Sequence, residues 1–120
     1  MQYAGARNSL YLVREGTLTE IKADKMSTGI VSRDSSIVQY TNNTYEFRKG
    51  DMIYMFSDGF PDQKGEKTRK KFYYQPFKDL LVSIHQLTVQ QQKMELDTTI
   101  CQWMGGIEQT DDILIMGIRV

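Results

Sequence analysis

The chain has 120 residues and a mass of 13.9 kDa, which is enough for one domain. Its fifteen Lys/Arg cancel its fifteen Asp/Glu, and the balance holds in each half of the chain, which excludes a generally basic nucleic-acid binder. An apolar fraction of 40% with one Trp, seven Tyr and five Phe excludes a disordered chain; a single cysteine, Cys101, excludes an intramolecular disulfide and fits a reducing compartment. No apolar run approaches about 18 residues. The opening MQYAGARNS lacks the basic start and apolar stretch of a signal peptide. The expected location is the cytoplasm, with no direct membrane contact.

In chain order, residues 3–22 read as strands around a turn. Ser9–Val13 is rich in β-formers, Glu15-Gly16 supplies a tight turn, and Leu18–Ile21 alternates apolar with polar, so a hairpin with one buried face is expected. Residues 23–35 carry Asp24, Ser27, Gly29, Asp34 and Ser35 and read as a loop. Residues 36–48 favour strand but are interrupted at Asn42-Asn43, giving either a second hairpin or one long bulged strand. After the turn Lys49-Gly50-Asp51, the apolar run Met52–Phe56 suits a strand buried on both faces, and Ile113–Ile118 is a second such run.

Two helices are predicted between these runs. Phe77, Leu80, Leu81, Ile84 and Leu87 follow helical spacing. Thr88-Val89-Gln90-Gln91 reads as a capping box that starts a second helix. That helix presents Val89, Leu96, Ile100 and Trp103 on one stripe and stops at Gly105-Gly106. A short loop makes the pair an antiparallel αα-hairpin over residues 74–104.

Five acids sit at strand ends or turns: Asp51, Asp58, Asp62, Asp111 and Asp112. Asp58-Gly59 ends one apolar run and Asp111-Asp112 begins the other. Spacing alone favours turn and capping roles for them. If the two runs are antiparallel neighbours, however, Asp58 and Asp111 meet at one sheet edge, where their repulsion calls for a cation. Hard oxygen donors suit Mg²⁺ or Mn²⁺. Other chemistries have little support. The single histidine, His85, lies among apolar helix neighbours, Cys101 reads as a half-buried helix residue, and no phosphate-cradling glycine loop is present. Trp103 and the methionines read as core filling. Lys64–Lys71 has five basic residues in eight and reads as a solvated, mobile loop.

The sequence resembles the C-terminal half of the SpoIIE/RsbU-like serine phosphatases, the bacterial branch of the metal-dependent PPM (type 2C) protein phosphatases. Three segments carry the resemblance: Ala4-Gly5-Ala6-Arg7-Asn8, Lys49-Gly50-Asp51 followed by Phe56-Ser57-Asp58-Gly59-Phe60, and Gln109-Thr110-Asp111-Asp112-Ile113. It implies an α+β fold, a partial αββα sandwich of mainly antiparallel sheets with an αα-hairpin packed on one face. It implies Mn²⁺ or Mg²⁺ held by Asp58 and Asp111, with Asp112 in support. It also implies water attack on phosphoserine or phosphothreonine without a covalent intermediate.

The family's first-half segments, including its Gly-His-Gly, have no counterpart among residues 1–120. The expectation is therefore a single, incomplete domain that hydrolyses little alone and self-associates as a homodimer through exposed strands. In the complete protein the resemblance implies dephosphorylation of a phosphorylated regulator of the anti-sigma-antagonist type. A non-catalytic protein-binding remnant of the same fold is the alternative.

Overall fold

The structure, a computed structural model, describes residues 2–3, 8–22 and 43–120. The expectations for residues 4–7 and 23–42 lie outside the described residues. The first hairpin forms as read: β2 (Leu10–Arg14) pairs antiparallel with β3 (Thr17–Ile21). Its turn residues Glu15 and Gly16 have φ of 49° and 79°, the two successive positive values that match the twist of paired strands. Before it, β1 (Gln2–Tyr3) pairs antiparallel with β4 (Asn43–Thr44) as a separate two-stranded sheet.

β5 (Met52–Phe56) joins β2, and β6 (Ile115–Arg119) joins β5, so the main sheet runs β3-β2-β5-β6, antiparallel throughout. The registers sort its side chains onto two faces. Tyr11, Val13, Met52, Tyr54 and Phe56 face the helices and pack with Phe60, Phe77, Leu81, Ile84 and Ile100. Leu10, Leu12, Ile21 and Ile53 face the other way, with Tyr45, Phe47 and Met55 against them.

β5 has the burial expected of it. The second apolar run does not. In β6 only Ile115 and Gly117 are half-buried, and Met116 and Ile118 are 49% and 43% exposed. β6 is the last strand of its sheet, and the helices cover only one of its faces.

The helical hairpin is α2 (Tyr74–Ile84) and α3 (Val89–Met104), after a single turn, α1 (Gly59–Asp62). The capping box is complete: Gln91 N–H donates to Thr88 Oγ1 at 3.2 Å, and Thr88 N–H donates to Gln91 Oε1 at 3.1 Å. α3 ends at Gly105, whose φ is 54°.

Two stripe positions differ from expectation. α2 stops at Ile84, so Leu87 lies in the connecting loop, and Val89 is 52% exposed. The buried residue at the start of α3 is Gln92. Its Nε2 donates to the carbonyls of His85 and Leu87, and its Oε1 accepts from the Tyr54 hydroxyl at 2.7 Å. This amide shares the two loop carbonyls with Arg119 Nη2 and gives the buried Tyr54 hydroxyl its acceptor.

Other expectations also shift. The basic run is solvated but folded: Lys64 bridges Lys71, Gly65 N–H donates to the Lys70 carbonyl, and Gly65 packs on the Trp103 ring. Cys101 is exposed rather than half-buried, and Met94 is 68% exposed, outside the core. His85 ends α2 with a capping role, half-buried, as its apolar context suggested. Among the described residues no helix is long and apolar enough to cross a membrane.

Candidate metal centre

Because β5 and β6 are antiparallel neighbours with Phe56 opposite Ile115, the chain leaving β5 runs beside the chain entering β6. Ser57 fastens the two. Its N–H donates to the Leu114 carbonyl (2.9 Å), its hydroxyl donates to the Asp112 carbonyl (2.7 Å), and Leu114 N–H donates back to Ser57 Oγ (2.9 Å). Gly59 makes the approach possible. A Cβ there would stand 2.2 Å from the Asp112 carbonyl oxygen, so only glycine fits. The sequence thus brings the Asp58 and Asp111-Asp112 segments to one sheet edge.

Aromatic packing anchors this turn on both sides of Asp58. Phe56 stacks on Tyr11 (centroids 4.6 Å apart) and on Phe77 (5.0 Å). Phe60 packs on Phe77 (5.0 Å) and Phe72 (5.2 Å), and Phe72 on Trp103 (5.5 Å). The entry to β6 is held by Gln63, which is fully buried. Its Nε2 donates to the Glu108 carbonyl (3.2 Å) and its Oε1 accepts from Thr110 N–H (3.3 Å).

The carboxylates themselves differ in their commitments. Asp58 occupies the N-cap of α1, yet its side chain makes no capping bond. Asp at that position ordinarily spends its oxygens on the first helical N–H groups. Here Asp58 Oδ1 accepts from the Tyr74 hydroxyl at 2.7 Å. Burial, and secondarily the Asp58 carboxylate, push the Tyr74 phenol well above its ordinary value, so it remains a donor at neutral pH. Asp111 is exposed, and its Oδ1 accepts from Asp112 N–H at 2.7 Å. Asp112 is exposed and contributes its carbonyl to the Ser57 clamp.

The other two acids stand apart. Asp62 pairs with Lys71 at 3.2 Å on the surface. Asp51, at the opposite end of β5, is buried and accepts from Arg14 Nε (2.9 Å), Arg14 Nη2 (2.6 Å) and Arg48 N–H (2.8 Å). The Arg14 hydrogen bonds hold its carboxyl at about 2. Fully paired, it is a fastening for the β2 and β5 ends rather than a ligand.

Beside Asp58 lies a pocket of about 300 Å³ whose walls include Ser9, Tyr11, Glu20, Tyr74 and Lys78. Lys78 Nζ is 3.0 Å from Glu20 Oε2 and 5.4 Å from the centre of the Tyr11 ring. Burial, the largest single influence, would raise the Glu20 pKa, but hydrogen bonds from Lys78 and Ser9 and the Lys78 and Lys22 charges together make the net shift downward.

The donor set at the Asp58–Asp111 edge is hard oxygen, the chemistry that Mg²⁺ or Mn²⁺ takes. Among the described residues no three His, Cys, Asp or Glu side chains gather into a cation site.

The family model of Stage II sporulation protein E (SpoIIE) matches residues 1–120. The chain belongs to the SpoIIE family. Solved structures agree with that membership. The SiaA PP2C domain of Pseudomonas aeruginosa matches with a TM-score of 0.88 at 28% identity, over 99% of this chain and 46% of that one. The phosphatase domain of the cell fate determinant SpoIIE from Bacillus subtilis matches with a TM-score of 0.62 at 16% identity, over 95% of this chain and 48% of that one. A manganese-presoaked form of that Bacillus domain matches at 0.61 and 15% identity, over 93% and 46%. The Bacillus structures establish the shared fold alone. No curated protein matches the chain. The chain spans about half the length of these solved domains.

Within the SpoIIE-family fold, three residues at this edge carried no assigned role in the sequence reading. Ser57 sits within the Phe56–Phe60 segment, and its position between two strand ends is the available signal. Gln63 and Tyr74 had none, because each acts across a sequence gap of 47 or 16 residues.

Proposed function

We propose that this chain is the C-terminal part of a metal-dependent phosphoserine/phosphothreonine protein phosphatase of bacterial signalling. Asp58 and Asp111 serve it as carboxylate ligands to Mn²⁺ or Mg²⁺, and Asp112 supports them. The observation that carries this reading is the Ser57 clamp together with the Gly59–Asp112 contact, which joins two acidic segments at one sheet edge.

A divalent cation held there would supply a water of lowered pKa as the nucleophile. The chain's own residues do the rest. Asp58 and Asp111 concentrate negative charge where the cation is needed. Ser57 and Gly59 fix the spacing of their backbones. The aromatic ladder from Tyr11 to Trp103 keeps the Asp58 turn from shifting. Neither Cys101 nor His85 adjoins this edge, which agrees with a route that has no covalent enzyme intermediate.

The substrate in this reading is a phosphorylated regulator protein of the anti-sigma-antagonist type. Because fewer than three acids gather among the described residues, the 120-residue chain alone is expected to turn over little. That shortfall favours, as a second reading, a protein-binding role for the same fold. Manganese-dependent hydrolysis of a phosphoserine peptide, compared between wild type and Asp58→Asn, tests both. Turnover lost in Asp58→Asn supports a competent metal site. Manganese binding without turnover supports the partial site, and no Asp58-dependent binding supports the protein-binding role.

A further inference from the structure

Tyr74 is the first residue of α2, and the residue before it is strained. Tyr73 has φ 72° and ψ 159°, a combination that glycine adopts and side-chain-bearing residues avoid. The helix does not require it, since Tyr73 makes no side-chain cap bond and is 54% exposed. The surroundings impose it. Tyr73 N–H donates to the Pro61 carbonyl at 2.8 Å, and Phe72 N–H donates to the Gln63 carbonyl at 2.9 Å. The chain entering α2 is therefore tied to the segment just after Asp58. One turn further on, Lys78 pairs with Glu20 of β3, so the start of α2 is fixed to the sheet as well. This geometry delivers the Tyr74 hydroxyl to Asp58 Oδ1, and both residues line the same pocket.

We propose that Tyr74 is a positioning residue for Asp58. Its hydroxyl commits one carboxylate oxygen and holds the side chain in a single orientation, leaving the other oxygen as a one-point ligand. The ligand part rests on the function proposed above; the orientation part does not. Hydrogen bonds of this kind to a ligating carboxylate typically change metal affinity 10–100-fold when removed.

The test uses the full chain, with Tyr74→Phe and Asp58→Asn. The metal-free readout is the χ1 coupling pattern of Asp58 by NMR, and the second is Mn²⁺-induced broadening of signals at the ends of β5 and β6. A single Asp58 rotamer in wild type that averages in Tyr74→Phe, with melting temperature little changed, is the expected result. The same variant should need about 10–100-fold more Mn²⁺ for equal broadening. An unchanged Asp58 rotamer in Tyr74→Phe overturns the positioning role whatever the metal does. Rotamer averaging with equal broadening in wild type and Asp58→Asn keeps the positioning role and overturns the metal ligation on which its second half rests.

Discussion

Strand β5 carries an aspartate just beyond each end, and the two are treated oppositely. Asp51 is buried, gripped by Nε and Nη2 of Arg14 and a backbone N–H, and its charge is fully answered from within the fold. Asp58 is partly exposed, skips the helix cap it could have made, and accepts from a neutral phenol. The same side chain is a fastener where the protein supplies the cation and a candidate ligand where it does not. Charge compensation, rather than residue type or motif, separates the two roles.

The largest expected effect comes from breaking the closed end. Asp51→Ala leaves Arg14 with only the Glu46 carbonyl and Arg48 N–H without its acceptor, and should cost about 2–3 kcal/mol in urea unfolding. Asp58→Asn, at the open end, should stay within about 0.5 kcal/mol of wild type. Equal losses for the two would erase the contrast.

Acid sharpens the same contrast. The Asp51 carboxyl sits at about 2 in the folded state against an ordinary 3.8. Its contribution is therefore complete above about pH 4 and is lost as pH falls through about 2. The expected size is about 2 kcal/mol. The stability gap between wild type and Asp51→Asn should narrow over that window, read by urea midpoints at each pH. A gap that stays constant contradicts the assigned pairing.

At the open end, Gly59→Ala drives a methyl into the Asp112 carbonyl and must separate the two acidic segments. A loss of about 2 kcal/mol is expected, together with a weaker response to Mn²⁺. Tyr73→Gly goes the other way. It relieves the glycine-like backbone at an exposed position and should raise stability by about 1 kcal/mol. A lower melting temperature for that variant would show that Tyr73 is not strained.

The smallest effect concerns the strand beside the open end. β6 and the residues flanking it expose Leu114, Met116, Ile118 and Val120 on the uncovered face of the sheet's last strand. We propose that the chain self-associates there, and Ile118→Lys should weaken the association. A single monomeric species in sedimentation at high micromolar concentration contradicts it.

Local chemistry carried most of what the sequence disclosed. The Glu15-Gly16 turn, the β5 run and the Thr88–Gln91 capping box each depend on residues within a few positions of one another, and each formed as read. The β5–β6 pairing was legible only as a condition, because adjacency of two apolar runs 56 residues apart is a tertiary fact. Burial of β6 was misread because an apolar strand sequence does not state whether a second layer covers it. Asp51 and Asp58 were indistinguishable as Gly-Asp and Asp-Gly punctuation. What divides them is Arg14, 37 residues away, and Tyr74, 16 residues away. Gln92 breaks its apolar stripe at the place where it bonds the Tyr54 hydroxyl, 38 residues away, and the α2–α3 loop carbonyls.

The most direct test of the central claim is a calorimetric Mn²⁺ titration of wild type, Asp58→Asn, Asp111→Asn and Asp51→Asn at neutral pH. The expected result is saturable binding that weakens at least tenfold in the Asp58 and Asp111 variants and persists in folded Asp51→Asn. Equal binding by wild type and Asp58→Asn, or binding lost only with Asp51, would contradict it.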